Sequence, residues 1–450
     1  MNRILIAGTH SGCGKTTITC ALLKAMKNRK LNPSAFKCGP DYIDPMFHRR
    51  AIGVPSYNLD PFFCTEEQLN RQIMAHAGSV SLLEGAMGYY DGVGAEGLYS
   101  AYDVAMQTRT PVVLVVDAKG MYASAGAVLK GFLTYKTDTG IQGVIFNNAS
   151  PSLYEGLCSI AEKIGVKPLG FLPQEKKASV ESRHLGLIAA EEIAGIEEKI
   201  ALLGELADRY IDIDSLLALA AGAGTLNFAE QDIRQLGPVR IAVARDEAFC
   251  FLYEENLELL TALGCELIFF SPLSDTGLPN DIGGLYLCGG YPELHLEALS
   301  GNVAMLEAIR TAVLGGIPTI AECGGFLYLH DTLDGISMAG AINADAYRTE
   351  KLKRFGYITL HAKEDNLLCA AGGSIRSHEF HYYESTSCGA GFIAEKPLSE
   401  RNWPCVHTTQ TLYAGFPHLY LNANPVFAEN FVRKAIKYAN GIFCTSQTRL

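Results

Sequence analysis

The sequence predicts an α/β protein with two domains, of which the first is a doubly wound parallel sheet that carries a phosphate-binding P-loop. Short apolar runs without polar alternation recur between amphipathic helical stretches, as is typical of parallel strands buried on both faces. The first run leads into a glycine-rich turn that contains Lys15, and a second series of runs begins after Gly237 and Pro238. A chain of 450 residues has room for two such domains, each with its own core.

The apolar runs give the order of elements along the chain. In the first half we predict strands at residues 4–7, 80–83, 112–116, 144–146 and 169–172. The spacing of Ile18, Ala21, Leu22, Ala25 and Met26 gives the first helix one apolar face. From about residue 189 to 235 the sequence is helical and rich in Ala and Leu, and strands return at 239–244, 267–270, 285–287 and 319–321. We therefore assign residues 1–195 to the first domain, 196–236 to a helical linker and 237–450 to a second α/β domain.

The charge balance restricts the ligands of the protein. With 37 basic and 48 acidic residues, the formal net charge is −11. This charge argues against nucleic acid and membrane surfaces as partners, and it leaves anionic ligands to local cations and backbone amides. No apolar run is longer than a strand, residues 1–6 are too short for a signal peptide, and the thirteen cysteines include no C-x-x-C pair. We therefore expect a reduced, cytoplasmic protein without a zinc site.

The strongest motif is GTHSGCGKTT at residues 8–17, between a predicted strand and a predicted helix. In this context Gly12 and Gly14 let backbone amides face phosphates, and Lys15 reaches the terminal phosphates. Thr16 is a candidate ligand of Mg²⁺, and Thr17 completes the nucleotide-binding loop. The strict pattern has a glycine where this chain has Thr9, so we expect a longer variant of the loop. The alternative is an ordinary glycine-rich turn with a solvated lysine.

Further polar residues follow successive strands at the carboxyl edge of the predicted sheet, where such sheets bind ligands. Glu84 is a candidate second contact of Mg²⁺, Asp91 lies in the turn after it, and Asn147 ends a later strand. Each residue alone is equally well explained as a helix cap or a turn residue. As a set they favour a site for a nucleotide and a phosphoryl acceptor.

The segment FKCGPDYIDP at residues 36–45 ends another strand. Its composition alone favours an ordinary turn with solvated charges. A net acidic protein, however, needs a phosphate-facing cation at this edge. Lys37, Asp41, Tyr42 and Asp44 are therefore candidates for substrate binding or phosphoryl transfer.

The segment PTIAECGGFLYL at residues 318–329 predicts a strand, a sharp turn and a helix around Cys323. This arrangement is a nucleophile elbow, which needs small neighbours because the turn is crowded. A thiol at a helix N-terminus is favoured as the nucleophilic thiolate. The amides of Gly324 and of Gly290, in the turn at 288–293, are candidates for an oxyanion hole. The alternative is that Cys323 is a small buried apolar residue.

An activated cysteine needs a base, and histidine is the side chain that titrates near neutral pH. The candidates are His378 and His381 in SHEFHY, and His418 in YAGFPHLYL. Their spacing does not choose between them, and each is equally well explained as a structural histidine.

Together these motifs resemble the cobyrinate a,c-diamide synthase family over nearly the whole chain. The resemblance rests on residues 8–17, 37–45, 58–60, 84–92, 183–187, 289–293, 323 and 377–381. It implies an ATP-dependent amidoligase domain similar to dethiobiotin synthetase, followed by a class I glutamine amidotransferase domain of the CobB/CobQ type. It also implies that His418 activates Cys323. Class I enzymes usually have a glutamate two residues after this histidine, where this chain has Tyr420, so the third member of the triad stays open.

The resemblance implies ATP- and glutamine-dependent amidation of the a- and c-acetate carboxylates of cobyrinate, in cobalamin biosynthesis. ATP would convert a carboxylate to an acyl phosphate, which ammonia, released from glutamine through a Cys323 thioester, then attacks. The implied ligands are ATP with Mg²⁺, glutamine and a tetrapyrrole polycarboxylate. Lys37, His48, Arg49 and Arg183 are candidates to bind this polyanion, although solvated charge is the default for such side chains.

Three other interpretations stay open. Nickel-sirohydrochlorin a,c-diamide synthases of the coenzyme F430 pathway share these motifs. Cobyric acid synthases have the same two domains, but they resemble FKPQN where this chain has FKCGP at residues 36–40. A partner-binding P-loop ATPase switch carries a second lysine early in the loop, which this chain lacks at residues 9–11, and it would leave Cys323 without a role. Formation of a homodimer, the ammonia route and the order of amidation are also undetermined.

Overall fold

The computed structural model describes residues 1–178, 195–230 and 232–441, together with the backbone of 182–183 and 186–187. The chain divides into two compact units, Met1–Glu230 and Gln231–Leu450. Within the described residues, no helix has both the length and the apolar character needed to cross a membrane.

The first unit is built on a parallel sheet, as predicted. Its elements are β1 (Arg3–Gly8), α1 (Lys15–Asn28), β2 (Pro33–Cys38), α2 (Ile43–Phe47), β3 (Ser56–Leu59), α3 (Glu66–Ala75), β4 (Val80–Glu84), α4 (Ala101–Gln107), β5 (Val112–Asp117), α5 (Ser124–Thr134), β6 (Ile141–Asn147), α6 (Pro151–Ile164), β7 (Lys167–Leu172), β8 (Ser182–Arg183), β9 (Gly186–Leu187), α7 (Ile196–Tyr210) and α8 (Ile213–Ala221). In the described part of this unit, the main sheet has the order β3-β2-β4-β1-β5-β6-β7 with parallel pairing throughout. Strands β1, β2 and β4 are buried at every position, which explains their lack of polar alternation.

The segment predicted as a helical linker contributes two helices to the first unit. Ile200 and Leu203 of α7 and Leu216 of α8 belong to the same core as Ile18 and Leu22 of α1. The apolar faces of α7 and α8 are buried there and not left in solvent, because burial of apolar surface drives the packing. The linker 196–236 is thus not a separate element of the fold, and its helices are part of the first unit up to residue 230.

The second unit contains a parallel sheet and additional antiparallel strands. Its elements are β10 (Val239–Ala244), α9 (Glu254–Ala262), β11 (Cys265–Phe270), β12 (Gly284–Leu287), α10 (Leu296–Gly301), α11 (Val303–Leu314), β13 (Thr319–Glu322), α12 (Gly324–Tyr328), β14 (Thr332–Leu333), β15 (Ile336–Ser337), β16 (Asp345–Arg348), β17 (Arg354–Ala362), β18 (Ser374–His381), β19 (Tyr383–Ser385), β20 (Phe392–Glu395), β21 (Asn402–Cys405), β22 (His407–Thr408), β23 (Leu412–Gly415), β24 (His418–Leu419) and α13 (Pro425–Ala439). The order of the first sheet is β11-β10-β12-β13-β23-β22, which is parallel except for the antiparallel edge strand β22, and β21-β20-β17-β18-β24 form an antiparallel sheet. The predicted strands correspond to β10, β11, β12 and β13, whereas β22, β23 and the antiparallel sheet were not predicted from the sequence.

Candidate active sites

The P-loop connects β1 to α1 and depends on two glycines with left-handed backbone. Gly12 has φ +82° and Gly14 has φ +99°, a region that favours glycine because it has no Cβ. A Cβ on Gly14 would overlap the side-chain amide of Asn147, which donates a hydrogen bond to the carbonyl oxygen of Cys13 at 3.0 Å. Asn147 therefore holds the backbone of the loop.

Lys15 folds back over the loop that precedes it. Its Nζ donates to the carbonyl oxygen of His10 at 3.1 Å, and burial lowers the pKa of the ammonium. Thr17, two residues further along α1, is partly exposed. The loop, the lysine and the helix N-terminus therefore have the arrangement that phosphate binding requires.

Three buried charged side chains meet beside the start of α1. Lys37 ends β2, Asp44 lies in α2 and Glu84 ends β4, and each is at most 5% exposed. The Lys37 ammonium forms an ion pair with Asp44 and lies 2.8 Å from Oε1 of Glu84. Thr16 Oγ1 is 2.6 Å from the same Glu84 oxygen and 3.2 Å from Oδ2 of Asp44. The structure thus brings together four of the residues that the sequence predicts for this site.

The charge of the Lys37 ammonium affects the pKa values of both carboxyl groups in this cluster. Burial alone raises the pKa of Glu84, but the Lys37 charge and the hydrogen bond with His48 hold it below its ordinary value. Burial and then the Glu84 charge raise the pKa of Asp44. Burial lowers the pKa of Lys37, but the charges of Asp44 and Glu84 outweigh it and raise the pKa overall. Glu84 is therefore an anion held between two basic side chains.

The oxygen atoms of this cluster fit Mg²⁺. The Thr16 hydroxyl and the carboxylates of Asp44 and Glu84 are the hard ligands that this ion prefers. In the described residues, no three His, Cys, Asp or Glu side chains form a metal site on their own. This is consistent with Mg²⁺, which usually takes one or two carboxylates together with phosphate oxygens and water. The sequence predicts Asp44 as a substrate or phosphoryl-transfer residue, and its contact with Thr16 makes it a third candidate ligand.

The other predicted residues of this edge have structural contacts. Asp41 Oδ1 accepts from the amides of Ile43 and Asp44 at 2.9 and 3.2 Å, in the turn that leads into α2, while its Oδ2 lies 3.8 Å from Nζ of Lys37. Tyr42, next along, is buried. Asp91 is exposed, and it accepts from the amide of Gly88 at 2.9 Å across the turn after β4.

Two of the cations predicted for a tetrapyrrole polyanion, His48 and Arg49, bond to other residues of the first unit. His48 is fully buried, with Nε2 at 3.2 Å from Oε2 of Glu84 and Nδ1 at 3.0 Å from the hydroxyl of Ser56. Arg49 donates to the carbonyl oxygen of Ser56 at 2.6 Å. Residues 184–185 and the side chain of Arg183 lie outside the described residues. The prediction that His48 binds this ligand directly is therefore wrong, because its imidazole is enclosed and paired with Glu84.

Cys323 occupies a strained turn between β13 and α12. Its φ is +46° and its ψ is −100°, an unfavourable conformation for a residue with a Cβ. The Cys323 amide donates to the carbonyl oxygen of Gly415 at 2.8 Å, and the amide of Gly324 bonds to the Cys323 sulfur. This is the elbow geometry that the sequence predicts.

The prediction of a preformed thiolate is wrong. Helix α12 has only five residues, so its dipole is weak. Burial raises the pKa of the Cys323 thiol, and the negative charge of Glu293 adds to the increase. The thiol is therefore protonated at neutral pH, and a base must accept its proton before it can attack.

Both predicted oxyanion residues border the same narrow space. A Cβ on Gly324 would lie 2.9 Å from the backbone nitrogen of Gly290, and a Cβ on Gly290 would overlap the carbonyl oxygen of Ala248. Neither position has room for a side chain, Gly324 because of the Gly290 backbone and Gly290 because of Ala248. The Gly290 and Gly324 backbones are therefore close neighbours, and the Gly324 amide bonds to the sulfur.

Of the three candidate histidines, His418 packs against this glycine turn. A Cβ on Gly289 would overlap Cε1 of the His418 ring. His378 lies on the paired strand β18 with its ring stacked on His418 at 4.9 Å, and His381 stacks on Phe416 at 3.8 Å. Burial lowers the pKa of all three histidines, so each is neutral at pH 7.

Two buried residues that the sequence analysis missed hold the strand of His418. Glu322 Oε1 accepts from the amide of Leu419 at 3.0 Å, and Asn256 donates to the carbonyl oxygen of Leu419 at 2.8 Å. Tyr420, where class I enzymes usually have a glutamate, is buried. The position of Glu322 at the end of an apolar strand could have identified it as a candidate, whereas nothing in the sequence distinguished Asn256.

Two family models match the two units. Residues 4–188 match the CobQ/CobB/MinD/ParA nucleotide binding domain, and residues 240–424 match the CobB/CobQ-like glutamine amidotransferase domain. A P-loop domain joined to a cysteine-containing amidotransferase domain defines the class of protein as a glutamine amidotransferase ligase. The chain belongs to the cobyrinate a,c-diamide synthase family.

The similarity covers nearly the full length of the relatives. A protein of Caldanaerobacter subterraneus subsp. tengcongensis named cobyrinate a,c-diamide synthase is 38% identical, over 93% of this chain and 94% of the relative. A protein of the same name from Clostridium acetobutylicum is 37% identical, over 96% of this chain and all of the relative. One from Listeria innocua serovar 6a is 36% identical, over 94% of this chain and 97% of the relative.

Proposed function

We propose that this protein amidates the a- and c-acetate carboxylates of cobyrinate, at the expense of ATP and glutamine, in cobalamin biosynthesis. The observation that carries the proposal is one chain with both a P-loop beside a buried acidic cluster and a cysteine elbow beside a glycine turn. A carboxylate is a poor electrophile and needs activation, and ammonia must be supplied to attack it. The full-length relatives that carry this name support the choice of substrate.

In the first unit, the proposed chemistry is phosphorylation of the substrate carboxylate to an acyl phosphate. The P-loop amides and Lys15 bind the nucleotide phosphates, and the ammonium of Lys37 neutralises charge near the acceptor. Thr16, Asp44 and Glu84 would hold Mg²⁺, which supplies further neutralisation of phosphate charge. His48 holds Glu84 in place through the contact of 3.2 Å.

In the second unit, the proposed chemistry is hydrolysis of glutamine. His418 accepts the proton of Cys323, and the sulfur attacks the side-chain carboxamide carbon. The amides of Gly290 and Gly324 stabilise the negative charge on oxygen, and the returned proton lets ammonia leave. Water then hydrolyses the thioester and releases glutamate.

The decisive experiment separates the two nitrogen sources. Purified wild-type protein is supplied with ATP, MgCl₂, cobyrinate and either glutamine or NH₄Cl, and the amides are counted by mass spectrometry. We expect Cys323→Ala to lose amidation with glutamine and to keep it with NH₄Cl, because the first unit needs only ammonia. Cys158→Ala, a change at a partly exposed cysteine of α6, is the matched control and keeps both activities.

Two outcomes would contradict the proposal. One is a folded Cys323→Ala variant that NH₄Cl fails to rescue, since this would make the thiol necessary for amidation itself. The other is wild-type protein that amidates nickel-sirohydrochlorin in place of cobyrinate, which would keep the chemistry and change the substrate.

A further inference from the structure

Two buried acceptor atoms on strand β18 face each other without a hydrogen bond between them, and we call the space beside them the gap. Oε2 of Glu379 and Nε2 of His381 are 4.0 Å apart, and the two residues are 2% and 6% exposed. Within the described part of the chain, neither atom has a hydrogen-bond partner. Buried polar groups are normally hydrogen-bonded, so a facing pair without partners points to a bound molecule.

The hydrogen bond made by Nδ1 fixes the tautomer of His381. Nδ1 lies 2.6 Å from the carbonyl oxygen of Tyr383, which only accepts, so Nδ1 carries the hydrogen. Burial lowers the pKa of His381 to about 4, despite the opposing effect of this hydrogen bond. Nε2 is therefore a bare acceptor at neutral pH.

The distance between the two atoms limits what fits there. A hydrogen bond between N and O is about 2.7–3.2 Å long, so 4.0 Å is too long for direct bonding even if Glu379 is protonated. It is short enough for one small molecule with two hydrogens to bond to both acceptors. Ammonia and water have this size and this donor capacity.

The gap lies beside the cysteine elbow. The His381 ring stacks on Phe416 at 3.8 Å, and the preceding residue, Gly415, accepts the amide hydrogen of Cys323. The charge of Glu379 contributes to raising the pKa of the Cys323 thiol, so this carboxylate lies within electrostatic range of the sulfur.

The side chains around Glu379 allow its carboxyl group to be ionised near neutral pH. Burial raises the pKa of Glu379 to about 7, and Glu384 acts in the same direction. The charges of Arg354 and Lys396 and a hydrogen bond with Trp403 oppose this rise.

We propose that Glu379 and His381 form a binding site for ammonia, which receives the product of glutamine hydrolysis at Cys323 and retains it inside the second unit. The assignment rests on the proposed function, which supplies ammonia at this place. Two acceptors on one strand face match the hydrogens of ammonia, and the carboxylate also stabilises ammonium. No bond is made or broken at this site beyond transfer of a proton.

The test measures the stoichiometry between the two half-reactions. With glutamine, ATP, MgCl₂ and cobyrinate, glutamate and amide are quantified together with the free ammonia that escapes. In Glu379→Gln we expect roughly tenfold more escaping ammonia per amide, the factor associated with one hydrogen bond to a charged group. Amidation with NH₄Cl should stay at the wild-type rate, and because the ratio is taken per amide formed, a change in the rate of glutamate formation through the Cys323 thiol does not affect it. Glu395→Gln, at an exposed carboxylate paired with His361, is the matched control and keeps the wild-type ratio.

A second variant keeps the proposal testable if Glu379→Gln fails to fold. His381→Phe keeps a ring to stack on Phe416 and removes the Nε2 acceptor, so it should also let ammonia escape. An unchanged ratio of ammonia to amide in both folded variants would overturn the proposal and assign the gap to water. A loss of glutamate formation at constant ratio would also overturn it, because the pair would then act on the thiol. Failure of the proposed function is distinguishable, since wild-type protein would then form no amide from either nitrogen source.

Discussion

Lys37 places a positive charge between two buried carboxylates, so its removal leaves Asp44 and Glu84 facing each other without compensation. Breaking a buried ion pair on one side typically costs about 3–5 kcal/mol. We therefore expect Lys37→Met to lower the free energy of unfolding by this order and to abolish amidation. A divalent cation should replace part of the lost charge, so MgCl₂ should raise the Tm of this variant more than that of the wild type.

The measurement for Lys37 is thermal unfolding by circular dichroism with and without MgCl₂. Lys130→Met, at an exposed position of α5, is the control for loss of a lysine charge. Equal Tm values and equal responses to MgCl₂ in the Lys37 variant and the wild type would show that the cluster does not depend on this ammonium.

His418 is the histidine that packs on the glycine turn, and its stacked neighbour His378 provides an internal comparison. Loss of a general base usually costs about 10²–10⁴ in rate. We expect His418→Asn to lose glutaminase activity by this factor and to keep amidation with NH₄Cl. His378→Asn should have a smaller effect on glutamate formation. If His378→Asn reduces glutamate formation more than His418→Asn does, His378 is the base.

At the scale of elements, the P-loop shows how a backbone conformation and a distant side chain depend on each other. Gly14 has φ +99°, and a Cβ there would overlap the amide of Asn147. A left-handed conformation costs a residue with a Cβ about 1–2 kcal/mol. We expect Gly14→Ala to abolish ATP binding, measured by calorimetry, while glutaminase activity stays at the wild-type level.

The same substitution elsewhere serves as the control. Gly131 lies within α5, and a Cβ on it would meet open space. Gly131→Ala should therefore stabilise the protein by about 0.5–1 kcal/mol, because alanine is the better helix former. Adding Asn147→Ala to Gly14→Ala removes the overlap but not the strained φ, so ATP binding should remain weak. Full recovery in the double variant would mean that the overlap alone matters.

Strands such as β1 and β4 were predictable because burial on both faces leaves a continuous apolar run. Strands β3 and β23 of the two main sheets were not predicted. Gly14 and Cys323 were predictable because a strained turn restricts residue type. The enclosure of Lys37 was not, since its partners Asp44 and Glu84 come from different elements and no local pattern records their meeting.

The long strand β18 was missed for a different reason. β18 has the sequence SIRSHEFH, and its polar residues Ser377, His378 and Glu379 are all buried, so no alternation between apolar and polar positions marks it. Buried polar residues are rare unless they are paired or functional, and they are the part of a site that periodicity does not reveal.

On the scale of the whole molecule, the second unit has buried groups whose pKa shifts make its stability depend on pH in both directions. Burial lowers the pKa of His330 and His381 to about 4 and that of His378 to about 3, and it also lowers that of His418. These histidines bind protons more readily when unfolded, where their pKa is about 6.5, so stability is lost as the pH falls from about 6.5 towards 4. Burial raises the pKa of Glu322 to about 8 and that of Glu379 to about 7. These carboxyls bind protons more readily when folded, so stability is lost as the pH rises from about 4.5 to their folded values.

The two effects together predict a maximum of stability. Below pH 6.5 these four histidines and His407, whose pKa burial also lowers, outweigh the two carboxyls, and above it mainly the carboxyls titrate differently in the two states. We therefore expect the second unit to be most stable near pH 6.5 and to lose stability on both sides.

Trp403 is the only tryptophan of the chain, so its fluorescence during urea titration at pH 5, 6.5 and 8 follows this unit. Glu322→Gln keeps the shape of the side chain and removes its titration, so it should flatten the decline between pH 6.5 and 8, steepen the rise between about pH 4.5 and 6.5, and move the maximum to higher pH. The exposed Glu395→Gln should keep the wild-type profile, and a Glu322→Gln variant that declines as steeply as the wild type would show that Glu322 is ionised throughout.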